Sequence, residues 1–448
     1  MSAGHRLLTL AILALITIIA FEAMAVSTAM PVVARELDAV RSYGLAFSFL
    51  LTGELLGIVV SGLWSDRRGP LTVLIAGQLL LAAGSVMAGL AGGLPMLLAG
   101  RLVAGLGSGL NVVAVYVVIG RAYPDAARPK VFSWISAAWV LPSLAGPPVA
   151  GLLATAWSWR WVFLVVVVPI AVVMAVVIGQ RRRLVGDAPS ATAADPASQR
   201  RAAGLGLAVA LAAAAMQVGA ERLVPVDVPM LLLTAAGLAG LAWAFPRLVP
   251  RGTLRLARGL PAVMASRFLL TAAFNGAMTF VPLMLVTERG LTPALSGAML
   301  TVGALGWSLG SYLQGRDAWA GRRSTLVSAG GGLLAAGVAG LAFVAALGLP
   351  SVVIAAASTL CGLGMGLAMS STSVLSLALS RREDHGGTAA SLNLADVLGS
   401  VVGVAAAGAL FAALHDPAGS DLPVFVLIWA LLAALAALVV VGGARTRP

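Results

Sequence analysis

The residues Gly62-Leu63-Trp64-Ser65-Asp66-Arg67-Arg68-Gly69 form a short charged turn between two long apolar runs, 43–63 and 70–92. A membrane-spanning helix needs about 20 largely apolar residues, and each run supplies them. A connection this short forces two such helices to lie antiparallel. The chain is therefore expected to be built from helical hairpins in a bilayer.

Composition agrees. Hydrophobic residues make up 60% of the 448, charged residues 10%, and the mean hydropathy is +1.00. No soluble fold hides that much apolar surface, whereas lipid demands it. A net charge of +12 would suggest nucleic acid in a soluble chain. Here it reads as a cytoplasmic basic belt, with no nucleic-acid partner. The lone cysteine, Cys361, excludes a disulfide framework and lies in an apolar run as a small packing residue. One lysine, Lys130, against 28 arginines, with abundant Ala, Gly and Val, points to a GC-rich bacterial genome.

Fourteen candidate spans follow, near 7–34, 43–63, 70–92, 95–120, 131–155, 160–180, 203–221, 227–246, 261–287, 291–315, 323–347, 351–379, 387–413 and 422–443. With the N-terminus inside, 22 Arg and Lys residues fall on the cytoplasmic side, 5 outside, and Arg101 and Arg267 within spans. That asymmetry supports a bacterial inner-membrane protein with both termini cytoplasmic. Losing one span would scramble it; losing a neighbouring pair would not, so 203–246 is the least constrained part. Ala23-Met24-Ala25 resembles a signal-cleavage site, but the apolar run continues past Glu22 to Pro31, so the first span is expected to be retained.

The loops divide the chain. Residues 1–183 read as a six-helix bundle, 184–202 as a flexible cytoplasmic linker, 203–260 as an extra helix pair with a basic segment, and 261–448 as a second six-helix bundle. Arg247, Arg251, Arg255 and Arg258 could share one helical face on anionic lipid. Pro250 and Gly252 equally suit an irregular positive-inside loop. Gly315-Arg316-Asp317, followed by Gly321-Arg322-Arg323, weakly repeats the 62–69 turn. Internal repeats with a site between them typify transporters.

The 62–69 turn resembles the G-x-L-x-D-R-x-G signature of the major facilitator superfamily, although Pro70 and Leu71 replace its usual basic continuation. That resemblance implies a gating role for Gly62, Asp66, Arg67, Arg68 and Gly69. Glu22 through Pro31 looks like the first-span motif of fourteen-span drug:proton antiporters, with Glu22 in place of Asp and Met24 in place of Thr. Arg101 through Gly107 is similar to their fourth-span R-x-x-x-G-x-G. Gly146, Pro147 and Gly151, with Pro142 before them, resemble the antiporter-type fifth-span motif, with Ala150 where Gly is common. Trp157 through Phe163 looks like the start of the sixth span.

Charges at membrane depth are costly and should face a cavity or a partner. Glu22, Glu54 and Asp396 sit near the middles of their spans, and Arg101 about two turns inside its own. Depth disfavours the charged form of a carboxylate and lets it trade protons. The alternative for each is a neutral or ion-paired group with a structural role only. Asn393, Asp396 and Ser400 share one helical face, and Arg267, Thr271 and Asn275 another. With Asn111 these are candidate cavity-lining residues.

Other patterns carry no chemistry. Gly306-Trp307-Ser308-Leu309-Gly310 fits G-x-S-x-G, but within a span it reads as small-residue packing, as do Gly362, Gly364 and Gly366. No phosphate-binding loop accompanies Lys130, and His5, His385 and His415 fall outside the spans. No metal, cofactor or enzymatic activity is expected. The expected protein is an all-α, fourteen-span, monomeric, proton-coupled exporter of small lipophilic molecules, cations among them. Its partners are substrate, protons and the bilayer. An uptake symporter on the same fold, or a non-transporting membrane protein, are the alternatives.

Overall fold

The computed structural model describes residues 3–123, 128–180, 196–221, 227–316, 319, 321–381 and 385–447. Among them lie sixteen α-helices. They are α1 (Ala3–Glu36), α2 (Tyr43–Arg68), α3 (Pro70–Gly89), α4 (Leu94–Ala122), α5 (Arg128–Ala138), α6 (Val140–Ala156), α7 (Arg160–Leu164) and α8 (Val167–Gly179). There follow α9 (Pro196–Ala220), α10 (Val228–Ala244), α11 (Leu260–Thr287), α12 (Pro293–Gln314), α13 (Arg323–Ala346), α14 (Val352–Ala378), α15 (His385–Leu414) and α16 (Leu422–Arg445). No strand occurs among the described residues. Each of the fourteen expected spans is helical, and twelve are long and apolar enough to cross a membrane. Of the other two, α12 has 22 residues, but its Gly, Ser and Thr dilute its apolarity. The other is the fifth span, which is broken at Trp139 into α5 and α6.

Proline explains that break. Pro142 has no N–H to give the Ala138 carbonyl, so the ladder opens there. The freed oxygen accepts a hydrogen bond from Thr17 Oγ1 of α1 at 3.4 Å. Pro169 likewise leaves Val165 without its i+4 donor, at the turn between α7 and α8.

Two sequence expectations change. The charged turn 62–69 is mostly helix: α2 runs through Arg68, and Gly69 alone, at φ +78°, makes the corner before Pro70 opens α3. A side chain resists that φ, which accounts for the glycine. Residues 196–202 of the expected linker are the first turns of α9, and 181–195 lie outside the described residues.

The chain divides into two compact units, Met1–Ala39 with Phe49–Ala210, and Val40–Ser48 with Leu211–Pro448. In the first, α1, α3, α4 and α8 share an apolar core that includes Leu15, Leu81, Val115 and Ile170. Thr9 and Tyr123 join α1 to the end of α4 through their hydroxyls at 2.8 Å. Burial pushes the Tyr123 pKa up, and the Thr9 bond pulls it partway back. In the second unit, α11 packs against α14, α15 and α16. Trp429 Nε1 of α16 donates to the Ala277 carbonyl of α11 at 3.1 Å.

Both units use the same packing device. Gly53 and Gly57 of α2 meet Gly105 and Gly109 of α4, backbone on backbone. Gly306 and Gly310 of α12 meet α14 near Gly362 and Gly366 in the same way, so the G-x-S-x-G match is a packing face as expected. Small residues let helices approach closely enough for dispersion to hold them where the hydrophobic effect cannot. A Cβ on Gly57 would lie 3.0 Å from Gly109 Cα and 2.9 Å from Leu110 N. Gly57→Leu should therefore destabilise the protein by at least about 2 kcal/mol, read as a lower melting temperature in detergent. Gly204→Ala, whose Cβ would meet open space, should leave it unchanged.

Candidate functional site

Glu22 lies mid-way along α1 with 2% of its surface exposed, and Arg101 on α4 has 1%. The Arg101 Nη1 donates to Glu22 Oε1, closing a buried ion pair across 79 residues of sequence. The Phe163 ring of α7 lies 6.0 Å from the guanidinium carbon and helps wall the pair in. The fifth-span motif backs the same place. A Cβ on Gly146 of α6 would lie 3.4 Å from Met24 Cβ and 3.7 Å from the Phe21 ring, so the glycine lets α6 lie close against α1 on either side of Glu22. Pro142, Pro147 and Gly151 are buried on α6.

This pair has a definite chemical capacity. A guanidinium stays charged at any accessible pH, so only the carboxylate can exchange a proton. Protonating Glu22 would leave Arg101 a buried cation without that counter-ion, a costly state that favours rearrangement. Glu54 is half-buried on α2, its backbone against Gly105 and Gly109, so it sits within about two turns of Arg101 along α4.

The candidate Asn111 of α4 is fully buried with neither amide atom hydrogen-bonded. Its neighbour Gln78 of α3, which the sequence pattern above does not single out, is in the same condition. A Cβ on Gly77 would touch the Asn111 amide, which places the two segments side by side. A mid-span Gln, the only long polar side chain in α3, is the signal that could have found it.

The second unit holds a separate polar network. Arg267 Nε of α11 lies 3.5 Å from Asp396 Oδ2 of α15. Its Nη1 donates to the Met369 carbonyl at 2.7 Å and to Thr372 Oγ1 at 3.0 Å, and its Nη2 to Ser373 Oγ at 3.2 Å. Thr271 Oγ1 donates to the Asp396 carbonyl at 2.9 Å, and Asn275 Nδ2 to Ser400 Oγ at 2.9 Å. The two predicted polar faces thus meet each other, and α14 adds hydroxyls that the sequence pattern does not single out. Asp396 retains 23% side-chain exposure against 3% for Glu22, so the second network is the more open one. Asn393 is half-buried, one turn before Asp396. Among the turn residues, Gly62 is half-buried, Arg68 is exposed, and the side chains of Asp66 and Arg67 lie outside the described residues. No group of three His, Cys, Asp or Glu that could hold a metal occurs among the described residues.

Comparison with known proteins gives a consistent family. A family model described as Major Facilitator Superfamily matches residues 11–341. A search of curated proteins finds no match. Among solved structures, a POT family transporter in complex with 5-aminolevulinic acid is similar at a TM-score of 0.72 and 14% identity, covering 99% of this chain and 97% of that one. A peptide transporter POT in complex with sulfate gives 0.69 and 15%, covering 97% and 92%. A D-xylose–proton symporter gives 0.66 and 15%, covering 97% of each chain. At such identities the likeness shows the fold alone. The drug:proton antiporter subtype finds no support among these names. The charged turn, the helical hairpins and the family match converge on one statement: this multi-pass membrane protein belongs to the major facilitator superfamily of transporters.

Proposed function

We propose that the protein is a proton-coupled secondary transporter of small organic molecules in a bacterial cytoplasmic membrane, with both termini in the cytoplasm. The observation that carries this reading is the buried Glu22–Arg101 pair. It joins an exchangeable proton site to a fixed cation inside the helix bundle. Protonation of Glu22 breaks its ion pair with Arg101, the bundle changes access, and deprotonation on the other side resets the pair. Asp396 with Arg267 forms a second, more exposed pair available to substrate. The charged end of α2, with Asp66, Arg67 and Arg68, serves as the cytoplasmic gate.

The direction we favour is symport into the cell, because the similar structures include peptide transporters and a sugar–proton symporter. Export of small lipophilic molecules is the second reading. It is favoured by Gly146 of the fifth-span motif lying against α1 beside Glu22, and by the extra pair α9 and α10. One proton crossing 100 mV and one pH unit can sustain roughly a 500-fold gradient, well within reach of a flux assay. In proteoliposomes, a panel of dipeptides, xylose and a lipophilic cation should accumulate toward the alkaline side under symport. Accumulation toward the acidic side would establish export instead.

Glu22→Gln mimics the protonated state and cannot release a proton. It should abolish uphill transport while leaving substrate exchange across the membrane intact. If that variant still concentrates substrate with unchanged proton stoichiometry, Glu22 is not the coupling site and Asp396→Asn becomes the variant to test. Stability separates this from a purely structural pair. Arg101→Met alone leaves Glu22 buried without its cation and should cost about 3–5 kcal/mol. The double variant Glu22→Leu/Arg101→Met should melt closer to the parent yet still fail to couple. Uphill transport that returns with the melting temperature would show the pair to be structural only.

A further inference from the structure

We propose that the segment joining α10 to α11, residues 245–259, is a binding site for the headgroups of anionic phospholipids. The proposal rests on the membrane placement of the chain and not on the direction or coupling of transport.

The segment is not the amphipathic helix its arginine spacing allows. It consists of two 3-10 turns, Phe245–Arg247 and Thr253–Arg255, folded into a compact loop. Gly252, Leu256 and Gly259 have φ of +92°, +52° and +81°. A leucine with positive φ is held only when its surroundings over-determine it, and here they do. Leu256 N donates to the Thr253 carbonyl at 3.1 Å and Ala257 N to the Gly252 carbonyl at 3.1 Å. The loop is also fastened to its own unit. Ser391 Oγ of α15 donates to the Leu248 carbonyl at 2.8 Å, Gly259 N to the Arg445 carbonyl of α16 at 2.9 Å, and Val249 and Thr253 are buried. An irregular positive-inside loop needs none of this construction.

What the fixed loop presents is cationic. Arg247, Arg251, Arg255 and Arg258 are all exposed. No carboxylate side chain occurs in 228–287 or 422–448, and the one on the α15 anchor helix, Asp396, faces Arg267. Guanidinium forks match phosphate bidentately. Two apolar side chains stand among them. Trp243 is 53% exposed and Leu254 65% exposed. The Arg247 guanidinium stacks over the Trp243 ring at 4.6 Å. Tryptophan beside arginine is the pattern of a membrane interface, with the ring among the headgroups and the cation at the phosphates. Trp243 lies in the last turn of α10, the least buried of the candidate spans, so acyl chains run alongside the site. A soluble polyanion would use the charges but not Leu254 or the lipid-facing helix.

The test uses the purified full-length protein and native mass spectrometry with dioctanoyl phosphatidylglycerol and dioctanoyl phosphatidylcholine as probes. The parent should bind phosphatidylglycerol at least about tenfold more tightly, since each surface arginine contributes about fivefold toward anionic lipid. Raising salt from about 0.1 M to about 1 M should erase the preference. The variant R247Q/R251Q/R255Q/R258Q should lose it, and R6Q/R200Q/R201Q, which removes exposed arginines elsewhere, should keep it. A preference that survives the quadruple variant, or is lost equally in the control, overturns the proposal. Should the quadruple variant not fold, the parent decides alone. Indifference to salt, or equal protection by free glycerol phosphate, would rule out a phospholipid site.

Discussion

Lipid offers a polypeptide no hydrogen-bond partner, and that constraint shapes everything else in this chain. Each backbone group at membrane depth must be satisfied from within, so all the expected spans are helical. The places where helices break show the rule at work. Pro142 removes the donor for the Ala138 carbonyl, and Thr17 of the adjacent helix supplies another. The break is tolerated because a neighbour satisfies the opened group, which ties the kink in α5–α6 to its packing on α1.

With no hydrophobic drive between helices in lipid, close approach must come from small residues. The glycines of α4 illustrate the arrangement. Gly105 and Gly109 admit α2, and Gly100 and Gly107 admit α3, from different faces of one helix. The same helix carries Arg101, which reaches α1. A helix gripped on two faces by backbone contact can hold a long cationic side chain in one position, and a fixed cation makes the state of Glu22 consequential. In the second unit α14 does the analogous work. Its Gly362 and Gly366 admit α12, and its Met369, Thr372 and Ser373 hold Arg267.

Much of this is legible in the sequence because membrane depth makes polarity conspicuous. Glu22, Arg101, Arg267 and Asp396 stand out as charges in apolar runs, and the structure brings them together in two pairs. The pairing itself is not legible. Nothing in the sequence says that Arg101 meets Glu22, because which faces converge depends on helix rotation, set by glycine contacts across the bundle. The hydroxyls of Thr372 and Ser373 are hidden in a Ser/Thr run that commonly bonds its own helix carbonyls, as both also do here. The 62–69 turn reads as loop only if charge is taken to end a helix. Charges at the membrane surface continue a helix freely, and only Gly69 with its positive φ stops it. The arginine spacing after 247 misleads in the opposite sense, since Gly252 and Gly259 in the left-handed region override it.

The two ion pairs distribute their charges differently, and that difference bears on mechanism. In the first unit the carboxylate sits on the opening helix and the guanidinium on the fourth span; in the second the guanidinium sits on the opening helix α11 and the carboxylate on α15. Arg101 meets the Glu22 carboxylate in near-complete burial and beside an aromatic wall, where water screens a change of charge poorly and one protonation event is felt sharply. Asp396 keeps 23% of its side chain exposed, so a change in its charge is screened more fully than at Glu22. A pair that responds sharply to a proton suits coupling. A pair partly open to its surroundings suits binding of a polar group that comes and goes. The division of labour we propose between Glu22 and Asp396 follows from those two environments.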